Sequence, residues 1–221
     1  MPKKEEIDIE RFRVTIFGSA RIKRNDPTYK LVERLAYEIA KEGLDMVTGG
    51  GPGLMEAASK GHEKGLLGRK VQTIGLGIKL PKEQSFNKHL DIKKEFETFS
   101  ERLDTFMELS DVVVVAPGGI GTLLELFYTW QLVQVKHMCD TPIILLGKHW
   151  DGLIEWIRSK LLRKKLISAE DFNFIFRARS CSEAIALIQK FHEDWHAGAH
   201  VCRNFLKYKR KHPKKRRSPL H

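Results

Sequence analysis

The chain has 221 residues, 42% of them apolar and 30% charged, and a formal net charge of +11. That size and balance describe one soluble globular domain with a substantial core, and no apolar run approaches the ~20 residues a bilayer crossing needs. Three widely spaced cysteines, Cys139, Cys181 and Cys202, fit neither a disulfide framework nor a zinc site and point to a reducing cytoplasm.

The charge is unevenly placed. Residues 207–221, KYKRKHPKKRRSPLH, hold eight Lys and Arg and no acid, which leaves +3 for the rest. The tail reads as a disordered, solubilising extension. Its functional reading is a nonspecific, salt-sensitive contact with a polyanion. Residues 1–12 form a polar lead-in without the apolar stretch of a secretory signal. The expected organisation is one domain over 13–196, with a tail from 197 to 221.

Within that domain, RVTIFGSA at 13–20 is a short β-branched run ending in Gly-Ser, a first buried strand. Leu31, Leu35 and Ile39 give helical spacing from Pro27 to Glu42, closed by Gly43. A brief strand at Asp45–Thr48 runs into GGGPG at 49–53, and a helix follows from Leu54, with Pro52 expected in its first turn. A third strand is predicted over Val71–Ile78, a weaker extended piece over 92–99, and a helix over Ser100–Leu109 capped by Ser100. Met55, Phe106 and Met107 read as core. Val112–Val115 is a polar-free β-branched run, the pattern of a strand buried on both faces. PGGIGT follows, and a helix is predicted from Thr122 to about Lys136. A strand at Pro142–Leu146, a helix over Trp150–Leu162, an ambiguous stretch at 171–176 and a helix over Ser182–Trp195 complete the pattern. Alternating strands and helices predict an α/β fold, a doubly wound parallel sheet with helices on both faces.

Ligands of such sheets bind outside the carboxyl ends of the strands. Two glycine loops there, GGGPG and PGGIGT, each open a helix, which suits phosphate or nucleotide binding. Neither has the dinucleotide G-x-G-x-x-G spacing or a P-loop Lys-Ser/Thr pair, so NAD and ATP are not indicated. No clustered His, Cys and Asp spacing suggests a metal. Glu125 lies about one turn into the helix after PGGIGT, a carboxylate beside an expected anion site.

FGSAR at 17–21, TGGGPGLMEAASKG at 48–61, LPKEQSFN at 80–87 and PGGIGTLLELFYTWQ at 117–131 occur in the order typical of the LOG (Lonely Guy) family. The chain resembles that family, most closely its bacterial nucleotide-binding branch, over roughly residues 12–195. The resemblance implies a single-domain Rossmann-like fold and hydrolysis of nucleoside 5′-monophosphates, AMP or cytokinin ribotides, to free base and ribose 5-phosphate, with no cofactor or metal. It implies Glu125 and Arg102 as the catalytic pair. Phosphate and ribose contacts would come from Ser19, Arg21, Gly49, Gly50, Gly51, Gly53, Gly118, Gly119, Gly121 and Thr122. Glu56 and Asn87 match motif positions. A homodimer or dimer of dimers is implied, formed through the helix carrying Trp130, Gln131 and Gln134.

Two positions depart from the family pattern, where Leu103 and Leu124 stand in place of charged residues beside the catalytic pair. They bear on substrate preference and keep a second function class open, a noncatalytic carrier of a nucleotide or of molybdenum cofactor. The family's older decarboxylase label would need a Schiff-base lysine, and no lysine here sits in a context that singles it out.

Overall fold

Among the described residues, seven short strands pair in parallel, in the order β4-β3-β2-β1-β5-β6-β7. They are β1 (Arg13–Phe17), β2 (Asp45–Thr48), β3 (Thr73–Ile78), β4 (Ile92–Phe96), β5 (Val112–Val115), β6 (Ile143–Leu146) and β7 (Ile175–Ala178). The computed structural model describes residues 11–80, 85–138 and 140–197. The lead-in up to residue 10 and the basic tail from 198 lie outside the described residues.

The valine run behaves as its composition dictates. Val112 and Val114 pack into one apolar cluster and Val113 and Val115 into the other, because successive strand side chains alternate faces. On the first face lie α1 (Pro27–Lys41), α2 (Leu54–Gly65) and α6 (Cys181–His196). On the second lie α3 (Phe99–Leu109), α4 (Ile120–Gln134) and α5 (Asp151–Trp156). The fold is therefore the expected α/β doubly wound sheet. Strand order runs outward in opposite directions from β1, to β2 on one side and β5 on the other, so the switch-point crevice opens between β1 and β5.

Several local expectations shift. Thr98, not Ser100, caps α3: its backbone is extended and its hydroxyl accepts from Glu101 N, a cap that Ser100, already inside the helix, cannot provide. Pro52 precedes α2 rather than entering it, because Gly53, at φ 68°, is the N-cap. α4 starts two residues early, at Ile120, and takes Gly121 into its first turn. The helix predicted to Leu162 is α-helical only to Trp156 and continues as a π-helix over Ile157–Leu162. The weak piece after residue 91 is strand β4, and the ambiguous stretch resolves into a 3₁₀ turn at Glu170–Phe172 followed by β7.

α1 and α2 approach closely enough to require glycine at their crossing. A Cβ on Gly61 would stand 1.9 Å from the Glu33 carbonyl oxygen, which is backbone and cannot step aside. Gly61→Val is expected to destabilise the fold by ~2–4 kcal/mol, read as a lower urea midpoint. An unchanged midpoint would refute the close packing.

Candidate active site

Three loops at the carboxyl edge are tied together through the backbone of Ser19. Its N–H donates to Pro117 O at 3.1 Å, and its carbonyl accepts from Leu54 N at 2.9 Å. Ser19 Oγ accepts from Arg21 N at 3.1 Å, shaping the turn after β1. A cavity of about 440 Å³ opens above these ties, within the ~300–1,000 Å³ range of small-molecule sites.

Its walls bring together most of the expected residues: Ser19, Arg21, Gly49, Gly119, Gly121, Thr122, Arg102 and Glu125. Phe17, Gly18, Ala20, Met55 and Ile120 complete the lining and were not anticipated as site residues. Met55, read as core, is half-buried and faces the cavity because α2 begins immediately below it. Its spacing from the apolar positions of α2 carries no signal that distinguishes cavity from core. Phe106 and Met107 are core as expected.

Gly50, Gly51, Gly53, Glu56, Asn87 and Gly118 do not line the cavity. Asn87 braces the glycine loop instead: its Nδ2 donates to Gly50 O at 3.0 Å and Gly51 O at 3.1 Å. Glu56 pairs with Arg24 on the surface. Gly53 must be glycine, since a Cβ there would come within 2.5 Å of Ser19 O and its φ is 68°. Leu103 is buried in α3 and Leu124 is 43% exposed on α4, so neither departure from the family pattern reaches the cavity wall.

The N-terminus of α4 meets the cavity without a cap. Asp26, Thr98 and Ser180 cap α1, α3 and α6 with their side chains, whereas Gly119 offers α4 none. Leu123 N is the first α4 amide seen to bond back into the helix, to Gly119 O. The amides of Ile120, Gly121 and Thr122 therefore present the positive end of a four-turn helix to the cavity. The α2 loop differs, because Leu54 N is already taken by Ser19 O.

At the cavity floor, Arg102 Nη1 donates to Glu125 Oε1 at 3.2 Å. Both residues are buried, at 8% and 9% exposure. Arg102 is fixed from behind: Nε donates to Leu76 O at 2.7 Å, and the guanidinium lies over the Phe106 ring at 4.9 Å. Gly49 leaves room for it, since a Cβ there would stand 2.6 Å from Arg102 Nη2. Burial pushes the Glu125 carboxyl up to about 7, although Arg102 pulls in the other direction. Burial lowers the Arg102 value against the pull of Glu125, but a guanidinium stays charged at neutral pH. One ion-pair contact does not replace the hydration both groups have lost.

The architecture is thus that of a Rossmann-like α/β protein with a buried acid–base pair at its switch point. A family profile described as "Possible lysine decarboxylase" matches residues 55–188, more than half of the chain, and the chain belongs to that family, the LOG family. No lysine lines the cavity among the described residues.

The chain is 28% identical over 185 residues to a rice protein described as "Probable cytokinin riboside 5'-monophosphate phosphoribohydrolase LOGL5", covering 81% of this chain and 72% of that protein. It is 28% identical over 143 residues to the pyrimidine/purine nucleotide 5′-monophosphate nucleosidase of Escherichia coli K12, covering 61% of this chain and 30% of that protein. It therefore spans less than a third of the bacterial enzyme's length. Among solved structures, the molybdenum cofactor binding protein of Rippkaea orientalis aligns with a TM-score of 0.61 and 25% identity, over 84% of this chain and 99% of that one. The relatives matched in sequence carry the names of hydrolases of N-glycosyl bonds.

The raised Glu125 value makes stability fall with pH. A carboxyl that titrates near 7 when folded, against an ordinary 4.5, contributes stability present below about 4.5 and lost as pH rises through about 7. Between pH 5 and 8 the native chain is expected to lose on the order of 2–3 kcal/mol that Glu125→Gln does not lose. Urea unfolding at the two pH values measures this, and parallel profiles for the two proteins would rule the shift out.

Proposed function

We propose that the domain at 13–196 is a nucleoside 5′-monophosphate phosphoribohydrolase acting on AMP or a cytokinin-ribotide-like substrate. The observation that carries this reading is the buried Arg102–Glu125 pair beneath an uncapped helix N-terminus. In it, the 5′-phosphate takes the free amides of α4 and the Arg21 side chain, with Ser19 and the neighbouring glycines shaping its seat. That places the ribose over Glu125.

Cleavage of the N-glycosidic bond sends its electron pair to the base nitrogen and leaves positive charge on the ribose ring. Glu125 in its carboxylate form stabilises that charge and takes a proton from the water attacking C1′. The same proton then goes to the departing base, so base and ribose 5-phosphate leave in balance. Arg102 keeps Glu125 oriented and does not give up its own proton. A carboxyl poised near neutrality suits this double role.

Release of free base from a panel of nucleoside 5′-monophosphates tests the reading. Glu125→Gln is expected to lower turnover by ~10²–10⁴-fold. Native activity should rise with pH to a plateau above about 7, since the reaction starts from the carboxylate. If no monophosphate is cleaved yet one raises the melting temperature, the carrier reading replaces this one. The likeness to the Rippkaea orientalis protein is what favours that second reading.

We also propose a homodimer, or a dimer of dimers, formed through α4, in a cytoplasmic setting. Leu126, Trp130 and Val133 face the core, while Ile120, Leu124, Phe127 and Val135 are exposed on the other side. A helix with apolar side chains on both its buried and its exposed sides is normally covered on both. Phe127→Asp should halve the mass measured by sedimentation equilibrium. A monomeric native chain would dispose of the dimer.

A further inference from the structure

Outside the tail, positive charge is concentrated in a single segment. Residues 156–169, WIRSKLLRKKLISA, contain Arg158, Lys160, Arg163, Lys164 and Lys165 and no acid. The segment carries +5, whereas everything before the tail sums to +3, so the remainder of the body is slightly negative. All five cations are exposed. Some surface cations elsewhere find acids, as in Lys64 with Glu33, Lys136 with Asp140 and Arg179 with Asp151, while others, such as Lys93 and Lys94 of β4, stand among nearby acids in sequence. None of the five makes an ion pair among the described residues, and Arg158 only lies over the Phe172 ring at 4.3 Å.

The backbone of this segment is unusual as well. Ile157–Leu162 is π-helical, Arg163 N bonds to Arg158 O, and Lys165 is left-handed at φ 57°. Ile157 is buried beneath it, while Trp156 and Leu166 stay 52% and 66% exposed. α5 starts at the carboxyl end of β6 and runs back along the sheet, so the cationic segment lies at the amino edge, away from the catalytic cavity.

We propose that residues 156–166 form a binding surface for single-stranded nucleic acid. The chain's own tail and the same surface of a second copy are both positively charged and would be repelled. The occupant must therefore be an extended anion. Closely spaced phosphates suit a cluster of exposed cations without ion-pair partners, and the 52% exposed Trp156 gives an unpaired base a place to stack. Base stacking favours a single strand over a duplex, whose bases are already stacked.

Fluorescence anisotropy of labelled 20-nucleotide single strands, titrated with the full chain across a salt series, tests the proposal. The combined Arg163→Glu, Lys164→Glu and Lys165→Glu variant should bind at least ~30-fold more weakly and reduce the slope of log K against log salt by about two. Trp156→Ala should weaken binding ~5–50-fold and leave the slope unchanged. Both substitutions are remote from the cavity, so binding is read independently of whether the hydrolase assignment stands. A control in which Lys214, Lys215, Arg216 and Arg217 become serine separates the tail's contribution. The proposal is overturned if the native chain binds no strand at 50 mM salt, or if the triple variant stays within twofold of native. It is equally overturned if Trp156→Ala is silent, or if phosphatidylglycerol vesicles bind more tightly than nucleic acid. Should the triple variant fail to fold, the Trp156→Ala titration decides alone.

Discussion

The Arg102 guanidinium sits out of water with every approach to it specified by a different part of the chain. Its Nε is held by the Leu76 carbonyl of β3, its plane by Phe106 one turn along α3, and its Nη1 by Glu125 of α4. The absent side chain of Gly49, after β2, leaves the space it occupies. Removing any one of these would leave a buried charge partly uncompensated, which is far costlier than losing an exposed ion pair. The pair thus makes the carboxyl edge a cooperative unit, and the raised Glu125 value is the physical consequence of building it dry.

Such a site needs a floor that does not shift, and polar ties at the other edge of the sheet supply one. Asp45 is fully buried at the start of β2, where it accepts from Gln72 N at 2.8 Å and pairs with Arg11 at 3.2 Å. Asp111 accepts from Arg13 N at 2.7 Å just before β5. His62 of α2 is buried between Thr73 Oγ1 at 2.7 Å and Leu44 O at 2.9 Å, and burial lowers its value, so it stays neutral. These contacts pin the register of β1, β2, β3 and β5, and that register fixes how far each loop stands from the crevice. A one-residue slip would turn the valine run inside out.

How much of this could be read from residues alone depended on how local the cause was. The valine run, the glycine loops and the alternation of elements are set by neighbours in sequence, and they were legible. Glu125 was legible because helix geometry carries it from the loop to the cavity within one turn. Arg102 was legible only through resemblance to a family, because its burial is created by Leu76, 26 residues away, and by Glu125. Asn87 shows what a motif position leaves open: its amide donates to the carbonyls of Gly50 and Gly51 and braces the loop, a bond to residues 36 and 37 positions away that no local pattern announces. Met55 and the π-helical turn failed for a third reason. Apolar periodicity reports that a side chain is covered, not whether protein or ligand covers it, nor how tightly the backbone is wound.

The two leucines that break the family pattern are instructive for the same reason. Charge lost beside Arg102 and Glu125 looks like damage when only chain neighbours are compared. On a helix, however, adjacent residues point about 100° apart, so a residue next to Glu125 cannot share its direction. Leu124 accordingly lies with Ile120 and Phe127 on the exposed side of α4, where a leucine lengthens an apolar stripe that an acid would have interrupted. Leu103 turns away from the cavity that Arg102 lines. Neither leucine lines the cavity that holds the Arg102–Glu125 contact: Leu124 adds exposed apolar surface to α4, and Leu103 is buried in α3. The departures thus change the exposed surface of α4 and the packing of α3 rather than the wall of the cavity.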